Sequence, residues 1–207
     1  MSQTCSQLLS QVRAFLQAPD DPELNTVGLA GMNSAVSLIN SRTWKKIYGS
    51  SDIDLDAANA EYAMAEDFKE PIRLLMLDTS GERVSRIPFL DEGRFYEQFD
   101  NRGTLTGSPC CYTVDYASRV LLLDVTPGAG YIAQYPQLRS VYHRRVPKFT
   151  CTETSGLPEE FDDFIVARGA VWIARVRDPS KLATLRDEAD ERWRMLKADD
   201  GNTQTDY

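Results

Sequence analysis

Histidine is nearly missing from this sequence, with His143 the single one in 207 residues. One imidazole leaves little room for general-base catalysis, and its neighbours Arg144 and Arg145 favour the neutral ring without supplying the serine or acid of a triad. Cysteine is also scarce. Cys5, Cys110, Cys111 and Cys151 contain no CxxC pair, which disfavours a zinc site. Adjacent Cys110 and Cys111 would point to opposite faces of a strand, so a bond between them would be strained, and buried, reduced thiols are expected instead. Positive charge is in deficit, because 23 Lys and Arg face 31 Asp and Glu for a formal net charge of −8. That balance argues against a surface built to neutralise phosphate or anionic lipid, yet it suits a wall past which a polyanion slides. There is no run of ~18 apolar residues and no basic start followed by an apolar stretch, so neither membrane insertion nor secretion is signalled and folding in a cytoplasm is expected.

Two motif-like strings fall short of chemistry. Gly128 and Gly130 form a GxG, but it follows the proline-led turn at Pro127, with no helix expected behind it and no Walker lysine. Asp52, Asp54 and Asp56 alternate as calcium ligands do, but Ala57 and Ala63 stand where the loop needs glycine and glutamate, so a solvated edge is expected. No cofactor, metal or catalytic constellation is therefore assigned, and the chain does not read as an enzyme.

What is present is a clear change of period along the chain. Thr4 and Gln7 make a capping box before Cys5, Leu8, Leu9, Val12, Phe15 and Leu16 at helical spacing. A second helix is read from about Glu23 to Trp44, weakened at Gly28 and Gly31, with the Trp44 ring as a lid on the core. Strands are expected at Glu61 to Met64, Ile72 to Leu77 and Val84 to Leu90, with Asp78 to Gly81 as a hairpin turn. Further strands are read at Tyr112 to Tyr116, Arg119 to Val125 and Ser140 to Arg144, with helical turns between Asp91 and Asp100. After Pro158 helical spacing returns through Phe161, Phe164, Ile165, Trp172, Ile173 and Val176, broken at Asp178 and Pro179. The last helix carries Leu182, Leu185, Ala189, Trp193 and Leu196 on one face and mixed charges elsewhere.

The expected fold is α+β, with N-terminal and C-terminal helices forming a bundle and a small, mostly antiparallel sheet inserted between them. One domain is expected over residues 1–197, helical over 1–48, strand-rich over 53–150 and helical over 158–197. Residues 198–207 are expected as a disordered acidic tail. His143, Arg144, Arg145 and Lys148 form the one basic cluster, for which water or an intersubunit salt bridge is preferred over DNA because aromatics are not interleaved with the cations. Arg144, Arg145, Arg192, Asp199, Asp200 and Tyr207 are the candidate partner-binding residues.

Several phrases, taken in order, resemble the head-to-tail adaptor proteins of tailed phages, above all the tail tubular protein A group of short-tailed phages. They are the helix ending Asn40, Ser41, Arg42, Thr43, Trp44; the stretch Tyr62 to Phe68 before Pro71 to Leu77; Gly107, Ser108, Pro109 before Tyr112, Thr113, Val114; and Leu157, Pro158, Glu159, Glu160, Phe161 before a helix broken at Asp178 and Pro179. Ala65 departs from the pattern, as does Gln134 to Arg139, which interrupts an expected strand. The resemblance implies a structural protein of the virion neck: a ring, typically of twelve copies, between the portal and the tail nozzle or tube, with double-stranded DNA passing through its channel. A disordered acidic end on a charged helix can fold onto a partner, so the last helix and tail are expected to dock on the portal. Another neck component, such as a stopper or tail-completion protein, is the alternative, with a nucleic-acid-binding module behind it.

Overall fold

The structure, a computed structural model, describes residues 3–17, 21–99, 104–150, 154 and 156–202. The chain divides into two compact units, one of residues 1–47 with 145–207 and one of 48–144, where a single domain had been expected. The α+β class and the placing of strands between terminal helices are as the sequence implies.

The first unit is helical. Helix α1 (Cys5–Leu16) opens on the capping box, with the Thr4 hydroxyl accepting from Gln7 N–H and the Gln7 side chain accepting from Thr4 N–H. Helix α2 (Pro22–Asn40) starts at Asp21, whose carboxylate accepts from Glu23 N–H, with Pro22 at its first position, one residue before the expected start. Helix α2 also ends four residues short of Trp44. A turn of 3₁₀ helix at Glu159–Phe161 leads into α5 (Asp162–Arg177), and another at Pro179–Lys181 leads into α6 (Leu182–Asn202). Helix α5 packs against α1, α2 and α6, which is why it is buried on most of its circumference and lacks a single apolar stripe. Its C-terminal end emerges from cover, leaving Val176, expected in the core, two-thirds exposed.

Close approach of α2 to α5 explains the glycines that weaken α2. A Cβ on Gly31 would lie 2.9 Å from the Arg168 carbonyl oxygen and from Gly169 Cα. The core is closed by aromatic rings from both ends of the chain. Trp44 meets Phe161 and Trp193 edge-on at 5.0 and 5.3 Å, and Trp193 stacks on Phe164 at 4.8 Å. Trp44 is fully inside rather than a lid, its Nε1 donating to the Ile39 carbonyl at 2.8 Å, which caps the end of α2.

The second unit holds two antiparallel sheets over one core. The larger runs β1 (Tyr48–Asp54), β9 (Gln137–Arg144), β3 (Phe68–Leu77), β4 (Arg83–Ile87) in spatial order; the smaller runs β2 (Glu61–Ala63), β7 (Val120–Leu123), β6 (Tyr112–Asp115). Phe68, Leu74 and Leu138 of the first sheet and Tyr112, Val114 and Leu121 of the second share that core. Register shifts in β3 flank Pro71, which has no N–H for the ladder. Helix α3 (Glu92–Gln98) lies in the expected helical stretch. A two-residue parallel pair joins β5 (Thr106–Gly107) and β8 (Thr126–Pro127), and one helical turn, α4 (Ala129–Ile132), opens at Gly128 where none was expected.

Strand β1 was not anticipated, because its sequence is polar. It exists through pairing with β9, in which Asp52 sits opposite Arg139 and accepts from its guanidinium at 2.7 and 2.9 Å. The Asp52 carboxyl is held below its ordinary pKa by that partner, so it is paired rather than merely solvated. The same pairing makes β9 start at Gln137, through the stretch read as an interruption. Among the described residues no helix is long and apolar enough to cross a membrane.

Candidate functional site

In the helical unit, the sequence candidates Arg192, Asp199 and Asp200 fall on α6, and the structure places the first two along one groove. The groove runs over the N-terminal half of α5 beside α6 and encloses about 500 Å³. Its floor is Phe164, Met195 and Leu196, with Met195 61% exposed. Its walls are Glu160, Asp163, Glu188, Glu191, Arg192 and Asp199, five acids against one base. Arg192 bridges the walls, donating to Glu188 at 2.6 Å and to Asp163 at 2.9 Å. Those carboxylates, Glu188 first, raise the pKa of its guanidinium, so the bridge stays charged. Beyond it a smaller depression of about 250 Å³ continues past Asp163 and Arg192 to Phe15 on α1.

Asp199 and Asp200 are not part of an unfolded tail. Helix α6 continues through Asn202, and Asp200 is turned inward, 5% exposed. Its Oδ1 accepts from the Lys45 N–H at 2.8 Å and its Oδ2 from Arg42 at 3.3 Å. Asp199 pairs with Lys46 at 2.6 Å, and Lys46 also reaches Glu160 at 2.9 Å. Asp199 and then Glu160 push the Lys46 pKa up. Two acids at a helix C-terminus oppose the helix dipole, and these pairings offset that cost by tying the end of α6 to the turn after α2. The expectation that residues 198–202 are free to dock elsewhere is corrected on this ground; Tyr207 lies outside the described residues.

Arg145 is exposed, and Arg144, at the end of β9, is half-buried. The segment behind Arg145 is fixed by two asparagines of α2, which sequence reasoning passed over. Asn40 Nδ2 donates to the Val146 carbonyl at 2.8 Å and Asn40 Oδ1 accepts from Val146 N–H at 2.9 Å. Asn33 makes the same double contact with Phe149, at 3.3 and 2.7 Å. A seven-residue spacing puts both amides on one helix face, a signal that was present in the sequence.

Buried chemistry elsewhere is mostly tied down. His143 is half-buried in β9, and its Nδ1 has no hydrogen-bond partner among the described residues. Cys110, Cys111 and Asp124 bring potential metal-ligating atoms within 4.8 Å of one another, a grouping the sequence did not suggest. Asp124, however, already accepts from Cys110 N–H at 2.9 Å, Cys111 N–H at 3.3 Å and the Cys110 thiol at 2.8 Å. The Asp124 carboxylate raises the Cys110 pKa, and burial followed by Asp124 pushes Cys111 up to about 12, so both thiols hold their protons. The cluster is accounted for as a tie across the turn before β6. Cys5 and Cys111 are buried, Cys110 is exposed contrary to expectation, and Cys151 lies outside the described residues.

The arrangement offers binding faces of both signs rather than a nucleophile beside a base. No curated protein matches the chain. A family model described as SU10 adaptor protein matches residues 3–206, nearly the whole length. That match supports the adaptor resemblance and does not extend to the tail tubular protein A group. On residues 3–206, the chain belongs to the SU10 adaptor protein family and is of the phage head-to-tail adaptor type.

Proposed function

We propose that this chain is a structural subunit of the virion neck that assembles with copies of itself into a ring, joining the portal to the tail nozzle or tube. The family match over residues 3–206 carries the reading. It is supported by a helical unit whose exposed faces carry both signs of charge, which gives head-to-tail contacts between identical copies two complementary patches. In this reading the ring has about twelve copies, as the adaptor resemblance implies, and double-stranded DNA passes through its channel without sequence-specific contacts. An excess of acid keeps the wall from holding the polyanion.

Light scattering on the purified chain, alone and mixed with its portal, followed by negative-stain imaging, tests the proposal. A ring seated on the portal is the expected result. A monomer that ignores the portal at every concentration would sink it.

A further inference from the structure

The groove beside α6 and the segment at 145–148 are complementary in charge, and each is held rigid. Of the groove's five acids, two are partnered by Lys46 and two by Arg192, and Glu191 has no ion pair among the described residues. The lining carries a formal charge of −4 over a floor of exposed Met195 and buried Phe164. Such a site fits a cation whose hydrocarbon stem covers the floor while its head reaches the walls. On the other side of the match, Asn33 and Asn40 pin the backbone of Phe149 and Val146, whose own side chains are buried. Arg145, Pro147 and Lys148 are thereby left exposed on a ridge that has little freedom to lose on binding.

We propose that the acidic groove of one copy receives the Arg145–Lys148 ridge of a second copy. This rests on the ring reading above and names the contact within it. Groove and ridge are different patches of one helical unit, so the junction is heterologous. Each added copy leaves one groove and one ridge open until the chain of copies closes.

The experiment uses two full-length variants at exposed positions, a groove variant D163K/E191K and a ridge variant R145E/K148E. Sedimentation velocity reads self-association of each alone and of their equimolar mixture. Like charges then face each other at the junction, so each variant alone should associate on the order of a hundredfold more weakly than the wild type. The mixture should recover, because the reversed groove accepts the reversed ridge and the two unaltered surfaces accept each other. Mere damage to folding would not be rescued by mixing. Variants that assemble like the wild type would overturn the proposal, and so would loss of portal attachment or of DNA retention alone with assembly intact.

If the wild type stays monomeric with and without portal, the ring reading is what fails. A peptide of residues 143–150 titrated onto that monomer then decides the groove: saturable binding abolished by D163K/E191K supports it, and no binding overturns it.

Discussion

Several carboxylates of the two units act at very different ranges. In the strand-rich unit, three acids act on their immediate neighbours, since Asp78 accepts from Ser80 and Glu82 N–H, Asp115 from Ala117 and Ser118 N–H, and Asp56 from Ala58 N–H, while Asp52 reaches Arg139 across the β1–β9 pair. In the helical unit, Asp199 and Asp200 meet Lys46, Lys45 and Arg42 across more than 150 residues of chain. The first pattern shapes turns that only need to form locally. The second joins the two ends of the chain, so it forms only when the end of α6 has reached the turn after α2. A surplus of acid that looks uniform in composition therefore shapes turns and pairs strands in one unit and ties the two ends of the chain together in the other.

All three tryptophans, Trp44, Trp172 and Trp193, lie in the helical unit, so their fluorescence follows that unit alone. The largest effect is expected from Trp44→Ala. It removes two edge-on ring contacts and a buried hydrogen bond, and should destabilise the helical unit by about 3–5 kcal/mol in chemical denaturation followed by tryptophan fluorescence. Far-ultraviolet circular dichroism that keeps a later, unshifted transition would show that the units unfold separately; a single shared transition would show that they do not.

Asp200→Ala should follow, at about 1–3 kcal/mol, because it removes the buried acceptor of the Lys45 N–H and of the Arg42 guanidinium. Truncation after Lys197 should cost at least as much. A truncated chain with unchanged stability would mean that the end of α6 contributes nothing to closure, and the comparison between the units would fail.

Asp162 sharpens the comparison in the other direction. It is 4% exposed at the start of α5, and neither carboxylate oxygen has a hydrogen-bond partner among the described residues. Burial first, then Glu159 and Asp163, raises its pKa from 3.8 to about 6. The folded chain then binds this proton more tightly than the unfolded chain does. The group's stabilising contribution is complete below the unfolded value and is lost as pH rises through about 6. Asp162→Asn should leave stability near pH 4 almost unchanged and raise it by about 1–2 kcal/mol at pH 7. Melting curves across that range would test this, and equal shifts at both ends would refute it.

The smallest effect belongs to the local acids. Asp78→Ala should speed amide exchange at Ser80 and Glu82 in the β3–β4 turn without moving the melting temperature. A global shift would mean that this turn, too, serves closure.

Caps and turns were legible because their donors, acceptors and backbone preferences lie within a few residues. The Thr4 capping box and the hairpin around Asp78, with Gly81 at φ +80°, needed no other part of the chain. The boundary at Pro179 follows from proline's own geometry in the same way. The apolar spacing of α6 likewise announced its core residues, although Val176 on α5 shows that periodicity cannot tell where a covering helix stops.

Taken alone, then, the sequence determined the order and type of the main elements, the α+β class and the charge surplus, since each follows from local preference or from composition. The tertiary structure alone decided that polar β1 is a strand, that Asp199 and Asp200 fold back onto the turn after α2, and that Asp124 reaches Cys110 and Cys111. It also decided that Asn33 and Asn40 hold a cationic ridge. These are pairings between residues far apart in the chain, and neither partner's local sequence records the other.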